Sequence, residues 1–576
     1  MSVATRHLLV LGCSCAKLQT PGLLPAIERY DGPTYRVLRA FLRDAPWPAP
    51  LSVAVLSARY GLIGGLAPIA DYDQRMNADR ARELAPECTD TLARWAEAHD
   101  HVSLVMGRDY LPALDLPGAS PLSIPSSIIE GPIGVKLNQL SNFLHRLPSA
   151  LRSTVPTRTT DRPLYFLPDW DDMLDVRYDF KRDRFSDRSK PARGEQHCIR
   201  VMAPDRMCDG ILVSLAQHLG TKGSLRRFAP DDPATLAPKQ IRQTFGLLPD
   251  QLAFGDCGAF SYIDQEEPVI STEQAMSLYQ LYGFDLGASV DHIPAPVIER
   301  DGHRHELSDS ERRRRIRMTR NNAIAFLELH RRRRCQFTPV GVIQALSPRG
   351  YATSLRMYYE MGYRHVALGG LVPKGDAEIV NILEAVGRAR AELREAVWLH
   401  LFGVFRPRIQ QRFRELGVSS FDSATYFRKA WLRSNQNYLA TNGSWYAAIR
   451  VPVSDDPRTR KRLRRKGLSD DDLLALERDA LRRLHAYDEG RCSLDKALEA
   501  VRSYDRCLRR ADRGEEQLVA EYRRTLHDQP WKQCTCQVCQ SAGIDVLIFR
   551  GYNRNKRRGA HNTLMLYRAR GRNALQ

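Results

Sequence analysis

The sequence predicts an α/β protein: a (β/α)8 TIM-like barrel with a C-terminal zinc subdomain, preceded by a small α/β domain. Between residues 163 and 440, apolar runs of strand length alternate with amphipathic helical stretches, and each run leads into a glycine or a polar residue. Before them lie three further apolar runs with helical patterns between. After them, three cysteines crowd into six residues, with a histidine further on.

The elements follow in chain order. In the first unit, residues 1–150, strand candidates are 7–12, 51–56 and 102–106. They run into Cys13-Ser14-Cys15-Ala16-Lys17, Ser57-Ala58-Arg59-Tyr60-Gly61 and Gly107. Parallel sheets place ligands at such C-terminal strand ends. Cys13 and Cys15 therefore read as ligand-binding or structural, since no further metal ligands are recognisable beside them. Residues 147–162 read as a linker. In the barrel unit, 163–440, strand candidates are 210–213, 252–254, 286–290, 340–343, 365–368, 398–401 and a shorter one near 420–421. Repeated βα units on this scale favour a closed barrel over an open sheet. Residues 441–530, dense in Arg, Asp and Leu at helical spacing, read as a charged helical insertion. Residues 531–576 are short, basic and poor in core residues, so bound metal would supply the folding energy that burial does not.

The 576 residues are 43% hydrophobic and 27% charged, the composition of a globular protein. No run of about 18 apolar residues occurs, so no membrane span is expected. The first ten residues lack a signal-peptide pattern, and twelve cysteines without a disulfide framework suit a reducing cytoplasm. A net charge of +19 favours a phosphate backbone as partner over an acidic membrane surface.

Cys534, Cys536, Cys539 and His561 match the Cys3His inventory of a closed tetrahedral zinc site, with no open position for catalysis. Four barrel strand ends carry chemistry: Asp256, Asp291, Gln344 and Asp422. Each aspartate alone reads equally as the cap of the following helix. Together, at strand ends that converge on one face, they read as a pocket.

These blocks resemble the tRNA-guanine transglycosylase family. The resemblance covers residues 163–576 through Asp256-Cys257-Gly258-Ala259-Phe260, Gly341-Val342-Ile343-Gln344, Leu368-Gly369-Gly370-Leu371, Leu401-Phe402-Gly403, Phe421-Asp422 and the zinc set. It implies Asp422 as nucleophile and Asp256 as general acid/base. It further implies that Asp291, Gln344 and the backbone of Gly369 and Gly370 read the purine edge, with Phe260 and Phe402 sandwiching the base. Exchange at C1′ needs a carboxylate on the ribose face opposite the departing base, and a second group to trade protons with the bases. The sequence also departs from the family: Cys257-Gly258-Ala259 replaces Ser-Gly-Gly, Ser261 replaces a glutamine, no acid follows the double glycine, and Ser423 to Arg428 differ throughout. Catalytic positions kept among changed surroundings argue for the same reaction on a different polymer.

The first unit resembles a small domain family with the same motif pattern, including Asp71-Tyr72-Asp73. The pairing is similar to the DNA-guanine transglycosylases of bacterial and phage 7-deazaguanine modification clusters. It implies duplex DNA, 7-cyano-7-deazaguanine as incoming base, and other proteins of such a cluster as partners. Two rival expectations are a tRNA substrate and a non-catalytic nucleic-acid-binding barrel. A guanine buried in the pocket would have to flip out of the duplex. The arginine runs 312–317, 331–334 and 458–466 read as solvated faces or as phosphate-tracking surfaces, the first two flanking a helix whose Ile316, Ala323, Phe326 and Leu327 face the barrel. The acids of 169–172 read as surface-turn residues rather than a cation site.

Overall fold

The computed structural model describes residues 5–19, 23–44, 47–48, 50–114, 124–147, 155, 162–169, 172–187, 194–216, 236–238, 240–432, 435–465, 467–508 and 515–570. Most of the expected linker, together with Trp170, Asp171 and Lys466, lies outside them.

The first unit is a five-stranded sheet: β1 (His7–Gly12), β2 (Leu51–Ser57), β3 (Gly61–Gly64), β4 (His101–Val105) and β5 (Ser126–Ile128), ordered β3-β2-β1-β4-β5. Only β3 is antiparallel, folding back on β2. Alternate residues of β1 point to opposite faces. Leu9 and Leu11 pack under α1 (Pro33–Asp44) and α3 (Ile133–Arg146), and Leu8 and Val10 under α2 (Ala78–Ala96). The Leu236 carbonyl, on the barrel side of the chain, accepts from Val53 N–H at 2.8 Å and ties the two units together.

The barrel closes with eight parallel strands: β6 (Leu164–Pro168), β7 (Gly210–Ser214), β8 (Leu252–Asp256), β9 (Leu286–Ala288), β10 (Thr338–Ile343), β11 (His365–Leu368), β12 (Trp398–Leu401) and β13 (Ser420–Asp422). Seven were legible in the sequence. The eighth, β6, is a five-residue run flanked by Pro163 and ending in Pro168, and it closes the ring by pairing Phe421 with Tyr165. Proline at either end of a run argues against a central strand, yet here both rings sit where few ladder donors are needed. Inside, Phe166, Leu252, Phe254, Val340, Val342, Ala367 and Trp398 fill the lower barrel, so it is a packed core and not a pore.

Four helices of the outer ring are α4 (Thr272–Tyr282), α5 (Asp309–Arg332), α6 (Pro348–Met361) and α7 (Asp376–Ala391). On α5, Ala323, Phe326 and Leu327 face inward as expected. One turn earlier the buried places belong to Arg315 and Thr319 instead of Ile316. Arg315 is buried because carbonyls of Ile263, Ile293 and Gln265 and the Glu311 carboxylate absorb its guanidinium donors. That part of the arginine run is structural. Asp169 and Asp172 are likewise buried, correcting their reading as surface-turn acids. Asp172 accepts from His197 Nδ1 at 3.3 Å and from the Cys198 thiol at 3.3 Å.

Beyond the barrel, β14 (Ile449–Arg450) pairs in parallel with β15 (Ile548–Phe549), so the helical segment leaves from and returns to one small sheet. Within it lie α8 (Pro457–Arg464), α9 (Asp470–Asp488), α10 (Leu494–Leu508) and α11 (Glu515–Asp528), and α9 reaches the cysteine segment, where Trp531 Nε1 donates to Asp488 at 2.8 Å. The last helices are α12 (Gln537–Ala542) and α13 (Gly551–Ala569). The tail is not poor in core: α13 is buried along nearly its whole length, including Arg554, Lys556, Arg557 and Arg558. Each of these cations is absorbed internally. Arg554 pairs with Asp545 and Asp183, Lys556 donates to Met173 O, Arg557 to Asp175 O and Val176 O, and Arg558 to Ala430 O and Val546 O. Burial pushes the Arg558 guanidinium down to about 9. No helix among the described residues is long and apolar enough to cross a membrane.

Candidate active site

The C-terminal ends of the barrel strands bring the sequence-selected residues to one mouth. Asp256 ends β8, Asp291 follows β9, Gln344 follows β10, Gly369 and Gly370 follow β11, Phe402 follows β12, and Asp422 ends β13. Carboxylate oxygens of Asp256 and Asp291 lie within 4.8 Å of each other and of Cys257 Sγ.

Asp291 is held from two sides. Its Oδ1 accepts from the Cys257 thiol at 2.9 Å and its Oδ2 from Gln344 Nε2 at 2.7 Å, while Tyr262 O–H donates to its backbone carbonyl. Burial raises the Asp291 carboxyl above the usual range against these donors. The Gln344 Oε1 atom is buried without a partner among the described residues, an acceptor at the pocket wall. Behind it the double glycine is required by space. A Cβ at Gly369 would sit 2.2 Å from Gln344 Nε2, and one at Gly370, where φ is +70°, 2.8 Å from its Oε1. Gly369 N–H donates to Ile343 O and its carbonyl accepts from Tyr351, so the backbone left unbonded at this turn among the described residues belongs to Gly370.

Asp256 is pushed up to about 8, first by burial, then by the charges of Asp291 and Asp422. Backbone N–H groups of Gly258 and Cys257 oppose the shift without cancelling it. Gly258 takes a positive φ of +83°, and a Cβ there would collide with Ser214 Oγ at 2.2 Å, which brings the turn after Asp256 tight against β7. The result is a protonated carboxyl beside two others at neutral pH, the state of a proton donor.

Asp422 is placed by different means. Its Oδ1 accepts from Gly403 N–H at 2.7 Å and meets His400 Nε2 at 3.2 Å. His400 is fully buried, and burial lowers its basicity, so the ring is neutral. A carboxylate only accepts, which puts the ring proton on Nε2 and leaves Nδ1 to accept from Ser420 O–H at 2.7 Å. Asp422 Oδ2 makes no hydrogen bond among the described residues, which suits a nucleophile. His400 escaped the sequence reading because a histidine inside the apolar run Trp-Leu-His-Leu looks like a core residue; only its inward parity two residues before Phe402 marks it.

The two aromatics differ. Phe402 is half-buried against His400 at 4.7 Å between ring centroids, whereas Phe260 stands 72% exposed on the rim. They make no ring contact with each other, so any sandwich would have to form around a bound base.

Away from the mouth, His561 Nδ1 lies 3.6, 3.4 and 3.4 Å from the sulfurs of Cys534, Cys536 and Cys539. Tetrahedral zinc with bonds of about 2.3 Å to sulfur and about 2.0–2.1 Å to nitrogen sets an S···N edge of about 3.6 Å. The donor set fits a metal ion. Its outer contacts are also in place: His561 Nε2 donates to Leu439 O at 2.8 Å, which turns Nδ1 inward, and Tyr438 stacks on the ring at 4.1 Å.

The sequence profile of the queuine tRNA-ribosyltransferase family matches residues 217–548. A DNA-guanine transglycosylase from Salmonella montevideo is 34% identical over 407 residues, covering 70% of this chain and 95% of that one. A tRNA-guanine(15) transglycosylase from Methanococcus aeolicus is 22% identical over 236 residues, 41% of this chain and 33% of that one.

Proposed function

Because the chain belongs to the queuine tRNA-ribosyltransferase family, we propose that it is a guanine transglycosylase that exchanges guanine in duplex DNA for a 7-deazaguanine, with 7-cyano-7-deazaguanine as incoming base. The single observation that carries the chemistry is the meeting of Asp256, Asp291 and Asp422 at one barrel mouth, one carboxyl protonated and one with an open oxygen. DNA as the polymer rests on the relative that aligns over nearly its whole length.

In this reading Asp422 Oδ2 attacks C1′ of a flipped-out deoxyguanosine as the C1′–N9 bond breaks, giving a glycosyl ester. Asp256 gives its proton to the departing guanine. The incoming base then surrenders its N9 proton to the Asp256 carboxylate, N9 bonds to C1′, and Asp422 leaves, so the configuration at C1′ is retained overall. His400 and the Gly403 amide fix the spectator oxygen of Asp422 so that Oδ2 presents one lone pair to the sugar. Asp291 accepts from the base N1–H and exocyclic amine, exchanging its internal donors for those of the base. Gln344 and the Gly369–Gly370 turn line the other polar edge, and Phe260 and Phe402 close on the faces of the base.

Zinc is the ion that the Cys534, Cys536, Cys539 and His561 set would hold, in a structural role that ties α13 to the strand ends. Protein partners from a DNA-modification cluster and a cytoplasmic setting complete the reading. The test is exchange of labelled guanine into plasmid DNA and, separately, into bulk tRNA. Incorporation into plasmid that vanishes in Asp422→Asn, with metal content and fold retained, is expected. Incorporation into tRNA alone would transfer the activity to the other polymer, and exchange by Asp422→Asn would end the covalent mechanism.

A further inference from the structure

The first unit carries a constellation that the barrel chemistry leaves unused. In its sheet the chain leaves β1 toward β2 and leaves β4 toward β5, so the two loops part above the β1/β4 pair. A crevice at the carboxyl ends of strands where connections diverge is where open α/β sheets hold ligands. Cys13 and Tyr110 stand on its two sides: Tyr110 O–H donates to Cys13 O at 2.9 Å and lies 3.4 Å from the half-buried Cys13 thiol.

The floor is built of hydroxyls. Tyr30, Tyr72 and Ser57 bond one another at 2.6, 2.9 and 3.0 Å, all three buried, and Ser57 Oγ also accepts from the Tyr60 amide at 3.1 Å. Tyr35 O–H caps the Gly12 carbonyl, and Lys136 caps that of Met106. The approach of β1 to β4 allows no side chain at Gly12, where a Cβ would lie 2.9 Å from Met106 Cβ. Such a braced set of strand ends is held in place before any ligand arrives.

Two cations sit above this floor. Lys17 Nζ lies 4.4 Å from the centre of the Tyr72 ring, and the Arg59 guanidinium lies 5.9 Å from the same centre. Among the described residues neither pairs with a carboxylate. The acid beside them, Asp71, turns Oδ1 to the Tyr72 amide at 2.9 Å. Elsewhere in this unit cations do find acids, as Arg36 and Arg39 do with Asp31. Two like charges gathered on one ring repel unless an anion joins them. The half-buried Tyr60, edge-on to Tyr72 at 5.4 Å and partly covered by Arg59, adds an aromatic surface next to the charge. Paired cations for an anion, an aromatic surface for a flat ring and hydroxyls for hydrogen bonds are the complement of a nucleoside phosphate.

We propose that the first unit is a second binding site, separate from the barrel, that takes a nucleoside monophosphate between the β1, β2 and β4 loops, with the phosphate on Lys17 and Arg59 and the Cys13 thiol beneath it. The proposal does not depend on the barrel's reaction. The test is the rate at which iodoacetamide alkylates Cys13 in the full-length protein, resolved by peptide mass spectrometry. It is measured with each nucleoside 5′-monophosphate, the matching nucleosides, and inorganic phosphate. At least one monophosphate at saturation should slow Cys13 by about tenfold or more, while its nucleoside and phosphate alone do not. The double variant Lys17→Ala/Arg59→Ala should lose the protection, and Lys17→Arg/Arg59→Lys should keep it, which separates charge from folding. Equal rates with every monophosphate, equal protection by inorganic phosphate, or protection that survives in the alanine double variant would overturn the proposal.

Discussion

The protonated state of Asp256 makes a quantitative demand on the pH dependence of base exchange. If Asp256 must deliver a proton to the leaving guanine, the competent fraction of free enzyme falls as pH rises through its value of about 8. That fraction is about 0.9 at pH 7 and about 0.1 at pH 9 for a single site. kcat/KM for the first half of the exchange should therefore drop by about tenfold between those pH values. The limb reports the carboxyl cluster as a unit, because Asp291 and Asp422 both contribute to holding the proton on Asp256. The measurement is the initial rate of labelled-guanine incorporation at sub-saturating DNA from pH 6 to 10, with ionic strength fixed because polyanion binding is salt-sensitive. A rate that stays level to pH 9.5, or an alkaline limb already complete by pH 6, would refute a neutral Asp256 as the donor.

The same shift is a stability statement. In the unfolded chain Asp256 ionises near 3.9, so the native state loses stability between about pH 4 and pH 8 as it keeps a proton that the unfolded chain releases. Asp256→Asn should then melt at least about 2 °C above the parent at pH 8, with the gap closing below pH 4, while losing exchange; a lower Tm at pH 8 would contradict the burial argument. Gly369→Ala puts a Cβ 2.2 Å from Gln344 Nε2 and should drive the Gln344 amide from the pocket wall, raising KM for the incoming base by about tenfold or more with little change in Tm, as read from saturation kinetics. His561→Ala should abolish stoichiometric metal content by elemental analysis and cut exchange with it; full activity in a metal-free variant would sever the link between the tail and the mouth.

How much of this was legible in the sequence depends on how local each signal is. The cysteine cluster and its histidine declare themselves by donor type and spacing, and the structure brings all four donors together. Strand-end polar residues are visible where a short run of apolar and small residues stops at a charged or amide side chain, as at Asp256, Asp291, Gln344 and Asp422. β6 is hard to read from sequence because the four residues between Pro163 and Pro168 carry almost no periodicity, and only closure of the ring demands them. Arg554, Arg557 and Arg558 belong to a tail that reads as basic and poor in core residues. Their burial depends on carbonyls of Phe180, Asp175, Val176 and Ala430, far away in sequence, that no local pattern announces. For the same reason the net charge overstates the basic surface free to meet a polyanion, since part of it is spent inside.

That internal use of charge also explains why a metal remote from the reacting atoms should matter to them. The loop after Asp422 leads into the short helix Thr425–Lys429, and α13 lies against that helix so closely that a Cβ at Gly559 would fall 2.9 Å from Phe427 O. Asn562, next to His561, donates to Tyr426 O at 3.3 Å and to Asn437 O at 2.7 Å, while Arg558 holds Ala430 O at 2.6 Å. On the other side Tyr165 O–H fixes the Ser423 carbonyl at 2.8 Å. Asp422 thus sits at the end of a strand whose continuation is clamped by the helix that carries His561. A carboxylate kept within reach of two other acids is under electrostatic pressure to move away, and displacing a reacting group by about 1 Å can cost about a hundredfold in rate. A metal held by Cys534, Cys536, Cys539 and His561 would lock α13 and oppose that movement without touching the substrate, which would give a closed four-ligand site a role in the proposed exchange.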